Sequence, residues 1–286
     1  LKALNHMKYA KLVLLLIFVS QSIQAQKIST RVYKQIMGQD LSLDIYEPEK
    51  SVSPGKAPVI ILFHGGGLVG GERSSLKYQC SFFAQRGLVA ISPSYRLVPK
   101  GAQDITAQVQ LCIKDAKSAV RWVKQHGSEL GIDTNRVFLG GGSAGGFLAT
   151  EAALIDSINE SSDDLRISTK ARALILYNPA YIPETRYTPP SVNYISKASP
   201  PSILFFGNMD TYKPGGDKFY NKLAGLKIPA ELWVAQGEKH AFYNKRGWNE
   251  ATTRKAYNFL LKLKLLDGSR TAEPDTDHTL DLQNPN

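Results

Sequence analysis

Midway along the chain, seven residues join a β-type segment, 137–139, to an apolar helix-type segment, 147–155: Gly140-Gly141-Gly142-Ser143-Ala144-Gly145-Gly146. Within them 141–145 fit the pattern G-x-S-x-G between a strand and a helix. A serine placed there occupies a tight, strained turn with its hydroxyl exposed, and side chains two residues to either side would strike neighbouring backbone. The helix that starts at Ala144 aims its positive N-terminal end at any negative charge developing beside the serine. Gly140, Gly142 and Gly145 also satisfy G-x-G-x-x-G, the pattern of dinucleotide binders. That alternative needs an acid about 20 residues on, at the end of the next strand. Asp163 and Asp164 have the distance but precede the strand, which ends at Asn178, and four strand-like segments come before the glycines. The cofactor reading fails on context.

The segments around this turn alternate between β-type and α-type, which predicts an α/β fold with a mostly parallel central sheet and helices on both faces. Segments 32–35 and 41–46 read as an opening hairpin turning at Gly38, and 59–63 as a strand buried on both faces. Helices are expected at 76–85, 105–125 and 249–266, and strands at 88–92, 173–177, 203–206 and 232–235, the last three each followed by a helix. Segment 159–170 is polar and reads as a surface loop.

A second motif, His64-Gly65-Gly66-Gly67, follows the buried strand directly. Acyl transfer creates an oxyanion that needs preorganised N–H donors, and consecutive glycines let bare backbone approach it closely. Gly66, Gly67 and Ala144 are the candidate donors; His64 precedes the serine and reads as a residue that fixes its own loop. In this topology the base comes late, which leaves His240 and His278. His278 lies in the C-terminal tail, whereas His240 sits in a short loop between the strand at 232–235 and the last helix. The acid is expected at Asp210, just past the strand at 203–206. Asp217 reads better as a helix-start residue, and Glu238 is too close to His240 in sequence to brace it. The candidate set is Ser143, Asp210 and His240.

Composition bounds the rest. Over 286 residues, 43% hydrophobic and 21% charged residues are ordinary for a globular enzyme. Residues 1–25, with translation starting at Met7, read as a signal peptide: Lys8 and Lys11, eight apolar residues at 12–19, then small Ala25 before the expected cut. Eight apolar residues are too few for a bilayer, which needs about 20. A secreted or periplasmic protein without stable membrane insertion is therefore expected. One catalytic domain, 26–268, and a loose tail, 269–286, complete the organisation. The net charge of +10 is scattered among acids without a basic block, so no nucleic-acid partner is expected. Cys80 and Cys112 are expected as free thiols on opposite faces of the sheet, and no His/Cys cluster has metal-ligand spacing, so neither metal nor other cofactor is expected.

With these motifs, from about residue 29 to residue 266, the chain resembles bacterial carboxylesterases of the HGGG, hormone-sensitive-lipase-like group. It looks closest to the compact acetyl-esterase and acetylxylan-esterase-like members. Tyr95-Arg96-Leu97, the helix segment 115–122, Gly131-Ile132-Asp133 and Arg136 carry the resemblance further. It implies an α/β-hydrolase fold, pairing of Arg96 with Asp115, and a turn shaped by Asp133 and Arg136. The implied activity is hydrolysis of short-acyl esters, small-molecule or polysaccharide-linked, with acetyl groups on plant polysaccharide as a target. The hairpin starts close to the leader and 180–201 is short, so little or no cap is expected, and the acyl pocket is expected to be walled by Leu68, Val69, Phe242 and Tyr243. The alternatives are a serine peptidase of the same fold and a catalytically inactive binding module. The first would usually bring a propeller or cap domain, and the second would have lost one of the site residues.

Overall fold

The computed structural model describes residues 26–48, 56–181, 191–267, 271–274 and 281–284. Among them nine strands form one sheet: β1 (Ile28–Ile36), β2 (Gln39–Tyr46), β3 (Ala57–Phe63), β4 (Val89–Pro93), β5 (Ile132–Gly142), β6 (Ala173–Tyr177), β7 (Ser202–Gly207), β8 (Ala230–Ala235) and β9 (Leu282–Gln283). Their spatial order is β1-β2-β4-β3-β5-β6-β7-β8-β9. The six strands from β4 to β8 run parallel, while β1, β2 and β9 pair antiparallel at the margins. This is the α/β-hydrolase arrangement.

Alternation along the strands creates two cores. In β3, Val59, Ile61 and Phe63 enter one core, while Ile60 and Leu62 enter the other, so the unbroken apolar run serves both faces. The first core is closed by α2 (Ile105–Gln125), α3 (Ala144–Leu154) and α4 (Lys213–Gly225); the second by α1 (Lys77–Gln85) and α5 (Trp248–Lys262). Helix α2 has the bounds its periodicity predicts because Asp104 caps it, Oδ1 accepting from the Ala107 N–H at 2.8 Å. Cys80 on α1 and Cys112 on α2 are free and buried in the separate cores.

Some expectations change. β5 spans 11 residues and not only 137–139, because it starts at Ile132, paired with Ala57 of β3, and because Gly140, Gly141 and Gly142 continue the ladder against β3 and β6. A Cβ at Gly140 would lie 2.3 Å from the Ile175 carbonyl oxygen, so these glycines are strand residues that admit close neighbours. Between β6 and β7 the described residues contain a 3-10 turn, Ser191–Tyr194, and no α-helix, while residues 182–190 of the segment expected to hold one lie outside the described residues. Segment 159–170 is irregular, yet Arg121 on α2 pins it through Asp163 at 2.8 Å and Asn159 at 2.6 Å. The tail is not loose throughout. Glu273 exchanges backbone hydrogen bonds with the Asn258 side chain, and β9 pairs with β8, whose outer edge offers unpaired backbone groups. The expected leader and His278 lie outside the described residues.

Candidate active site

Ser143 stands between β5 and α3 with φ 54 and ψ −120, a conformation that L-residues avoid unless their surroundings impose it. The surroundings are glycine-dependent. A Cβ at Gly145 would sit 2.0 Å from the Phe63 carbonyl oxygen, and one at Gly141 2.3 Å from the same atom. The end of β3 thus presses on the turn from one side. From the other, the Tyr243 hydroxyl fills the space that a side chain at Gly142 would need.

His240 Nε2 lies 2.7 Å from Ser143 Oγ, and His240 Nδ1 lies 2.8 Å from Asp210 Oδ2. The structure therefore brings the three candidate residues into one line. The Asp210 side chain is fully buried, and its second oxygen, Oδ1, accepts from the Tyr212 N–H at 2.9 Å. The loop that carries His240 is tied to the turn that carries Asp210. Met209 N–H donates to the Glu238 carbonyl at 2.9 Å, and Gly237 N–H donates to Asn208 Oδ1 at 2.9 Å. The rival acids are occupied elsewhere. Asp217 lies inside α4 in an ion pair with Lys213 at 2.8 Å, and Glu238 accepts from Trp248 Nε1 at 2.8 Å and from Lys245.

The glycine loop after β3 abuts the turn: a Cβ at Gly65 would lie 3.2 Å from Ser143 Cβ. Gly66 and Gly67 adopt positive φ of 117 and 63, and the Gly66 carbonyl accepts from Val69 and Gly70, which closes the loop on itself. Among the described residues the N–H groups of Gly66, Gly67 and Ala144 have no backbone acceptor, and Ala144 directly follows the serine. His64 is buried and stacks on Tyr95 with ring centroids 4.3 Å apart, while the Tyr95 hydroxyl donates to the His64 carbonyl at 2.8 Å. Burial holds its imidazole below the usual histidine range, so it stays neutral and braces the loop.

The BD-FAE family model matches residues 43–174, a span that contains both glycine motifs. Esterase LipI of Mycobacterium tuberculosis is 25% identical over 276 residues, covering 82% of this chain and 84% of its own length. Carboxylesterase 20 of Arabidopsis thaliana is 32% identical over 161 residues, half of this chain and 45% of the plant protein. Among solved structures, esterase 2 of Thermogutta terrifontis superposes with a TM-score of 0.76 at 31% identity, covering 84% of this chain and 96% of that one. The chain belongs to the α/β-hydrolase carboxylesterases of the hormone-sensitive-lipase-like group.

In this esterase Arg96 grips Asp115 through two bonds of 2.7 Å, and Arg136 bonds Asp133 at 2.9 Å and the Lys56 carbonyl at 2.7 Å. The expected acyl-pocket walls need correction. Phe242 is fully buried, packed edge-on against Trp248 at 5.4 Å, and Tyr243 stacks on Tyr177 at 5.2 Å behind the serine turn. Both face the second core because the short 3-10 turn Phe242–Asn244 rolls them inward. Leu68 is largely buried in the first core, and only Val69, 64% exposed, remains open to a ligand. Two residues to which the sequence assigned no place in the site contact His240. The Tyr212 ring meets it edge-on at 4.9 Å, and the Asn178 amide nitrogen lies 3.2 and 3.3 Å from its two ring nitrogens. Their signal was position. Each directly follows a parallel strand or its turn, at the carboxyl end of the sheet where such folds bind ligands.

Proposed function

We propose that this esterase cleaves short-acyl esters through an acyl-enzyme, with Ser143 as nucleophile, His240 as general base and Asp210 as the group that orients the imidazole. The observation that carries the reading is the unbroken line from Ser143 Oγ through both ring nitrogens to a fully buried carboxylate. His240 Nε2 accepts the hydroxyl proton as Oγ bonds to the ester carbon, and the carbonyl electrons move onto its oxygen. The N–H groups of Gly66, Gly67 and Ala144 receive that oxyanion. His240 then returns the proton to the departing alcohol oxygen. Water, activated by the same nitrogen, releases the acid and restores Ser143.

Two observations support a short acyl group. The aromatic rings next to His240 in sequence belong to the core and enclose no acyl tail, which would gain about 0.8 kcal/mol per methylene only where walls exist. Structures of the Thermogutta esterase carry propionate and butyrate. Acetyl groups on plant polysaccharide are the proposed natural target, and export to the periplasm or medium the proposed location. That pairing rests on the family resemblance and on the leader-like residues 1–25.

The test is a kcat/KM series on p-nitrophenyl esters from C2 to C12, below micelle-forming concentrations, with Ser143→Ala alongside. Acetate and butyrate are expected well ahead of decanoate, and Ser143→Ala is expected to lose about 10⁶-fold in kcat with its fold intact. A maximum at C8 or beyond overturns the short-acyl reading. A variant that keeps more than about a hundredth of the rate overturns the triad. A wild-type protein without ester turnover would revive the inactive binding module, and faster turnover of peptides would favour the peptidase.

A further inference from the structure

Asn178 directly follows β6 in a buried position with φ 38, a region that asparagine tolerates better than most residues. Its amide nitrogen is almost equidistant from the two ring nitrogens of His240, at 3.2 and 3.3 Å. No in-plane position meets both distances without striking ring carbons, so the carboxamide lies over a face of the imidazole. Neither ring nitrogen is available to it. Nδ1 points at Asp210 and Nε2 at Ser143, each within the ring plane. At the other end of the same side chain, Oδ1 is buried and has no hydrogen-bond partner. The two ends of a carboxamide are nearly isosteric, and a half-turn exchanges them. Over a neutral ring an NH₂ group is tolerable. Over the imidazolium that forms when Ser143 gives up its proton it is repelled, whereas an amide oxygen is attracted through a low-dielectric gap.

We propose that Asn178 is a positioning residue for the acyl-transfer reaction, which holds its carboxamide oxygen against the face of His240 and stabilises the imidazolium. The assignment rests on the triad reading above. It assigns Asn178 no bond to make or break: the proton still moves from Ser143 Oγ to His240 Nε2. The groups that face the ring are Asp210 and Tyr212 from the turn after β7, Ser143 from the turn after β5, and Asn178 from the position just after β6.

The experiment compares the full-length wild type with Asn178→Gly and Asn178→Asp, both compatible with positive φ, by pH profiles of kcat/KM on p-nitrophenyl acetate. Asn178→Gly is expected to lose about tenfold in kcat with KM within about twofold, and its profile midpoint is expected to move to lower pH by about half a unit, because the cationic ring has lost a stabilising dipole. Asn178→Asp is expected to move the midpoint the other way, by about one unit. Thermal melts confirm that both variants fold. A midpoint that stays in place in Asn178→Gly, or one that moves in the same direction in both variants, overturns the proposal. So does a loss confined to KM. Failure of the triad would show instead as a Ser143→Ala variant that keeps more than about a hundredth of the rate, so the two failures are distinct.

Discussion

The turn at Ser143 and the loop at His240 meet at 2.7 Å, yet the sheet holds them in different ways. The serine turn leaves β5, which is laddered on both sides, and it is wedged between the Phe63 carbonyl and the Tyr243 hydroxyl. Its geometry is imposed by hard contacts with fixed backbone. The histidine loop leaves β8, whose outer neighbour β9 is two residues long. His240 keeps 29% of its side chain exposed, and its place depends on a few hydrogen bonds to the turn at 207–210. One half of the proton-transfer pair is set by exclusion and the other by tethering. A perturbation should therefore surface as lost stability at the first and as lost rate at the second.

The largest expected effect tests the tether itself. Asp210→Asn should lower kcat by about 10⁴-fold with little change in thermal stability, since the amide favours the wrong imidazole tautomer. If Asp217→Asn is the crippling change instead, the acid lies in α4 and the comparison is built on the wrong pair. Next comes the same steric insult applied to both regions. At Gly145 an added methyl would meet the Phe63 carbonyl oxygen at 2.0 Å, and at Gly207 the Glu238 carbonyl oxygen at 2.2 Å. Gly145→Ala should destabilise by about 3 kcal/mol, the upper end for overpacking, because its neighbours cannot retreat. Gly207→Ala should melt within a few °C of wild type and lose about 10²-fold in kcat as the histidine loop shifts. Thermal unfolding and initial rates on both variants decide this, and equal stability losses would break the distinction.

The smallest effect sharpens it. Glu151, on the helix that follows Ser143, is buried, accepts from Ser191, and has its second oxygen without a partner. Burial pushes its carboxyl up from 4.5 to about 7. A raised carboxyl contributes its stability in full below about 4.5 and loses it as pH rises through about 7. The loss at higher pH amounts to roughly 3 kcal/mol. Glu151→Gln should accordingly melt on the order of 5 °C above wild type at pH 8 and show no gain at pH 4, with kcat unchanged. An equal gain at both pH values would show that ionisation is not the cause.

The same division governs what could be read from residues alone. The two glycine motifs and the order of Ser143, Asp210 and His240 were legible because close backbone approach needs glycine at fixed spacing. Helix α2 was legible end to end because its cap and apolar stripe are local. Gly140 to Gly142 as strand residues were not, since glycine favours turns by itself and only pairing with β3 and β6 makes a ladder of them. Phe242 and Tyr243 stand beside His240 in sequence, but a single 3-10 turn sends them to the opposite side of the loop. Asn178 entered the sequence argument only as the end of the strand where a dinucleotide binder would carry an acid. Its proximity to an imidazole 62 positions away is a product of strand order.

At the far margin of the sheet, β1 has no strand beside its outer row of backbone groups among the described residues, the kind of rim along which chains can stack into fibres. Its ladder with β2 slips between Val32 and Lys34, and Lys34 turns inward to pair with Asp115 at 2.7 Å and Glu160 at 2.8 Å. A newcomer strand would have to follow that kink and align beside a committed charge. The bulge and the inward lysine keep this edge from becoming a template for its own assembly.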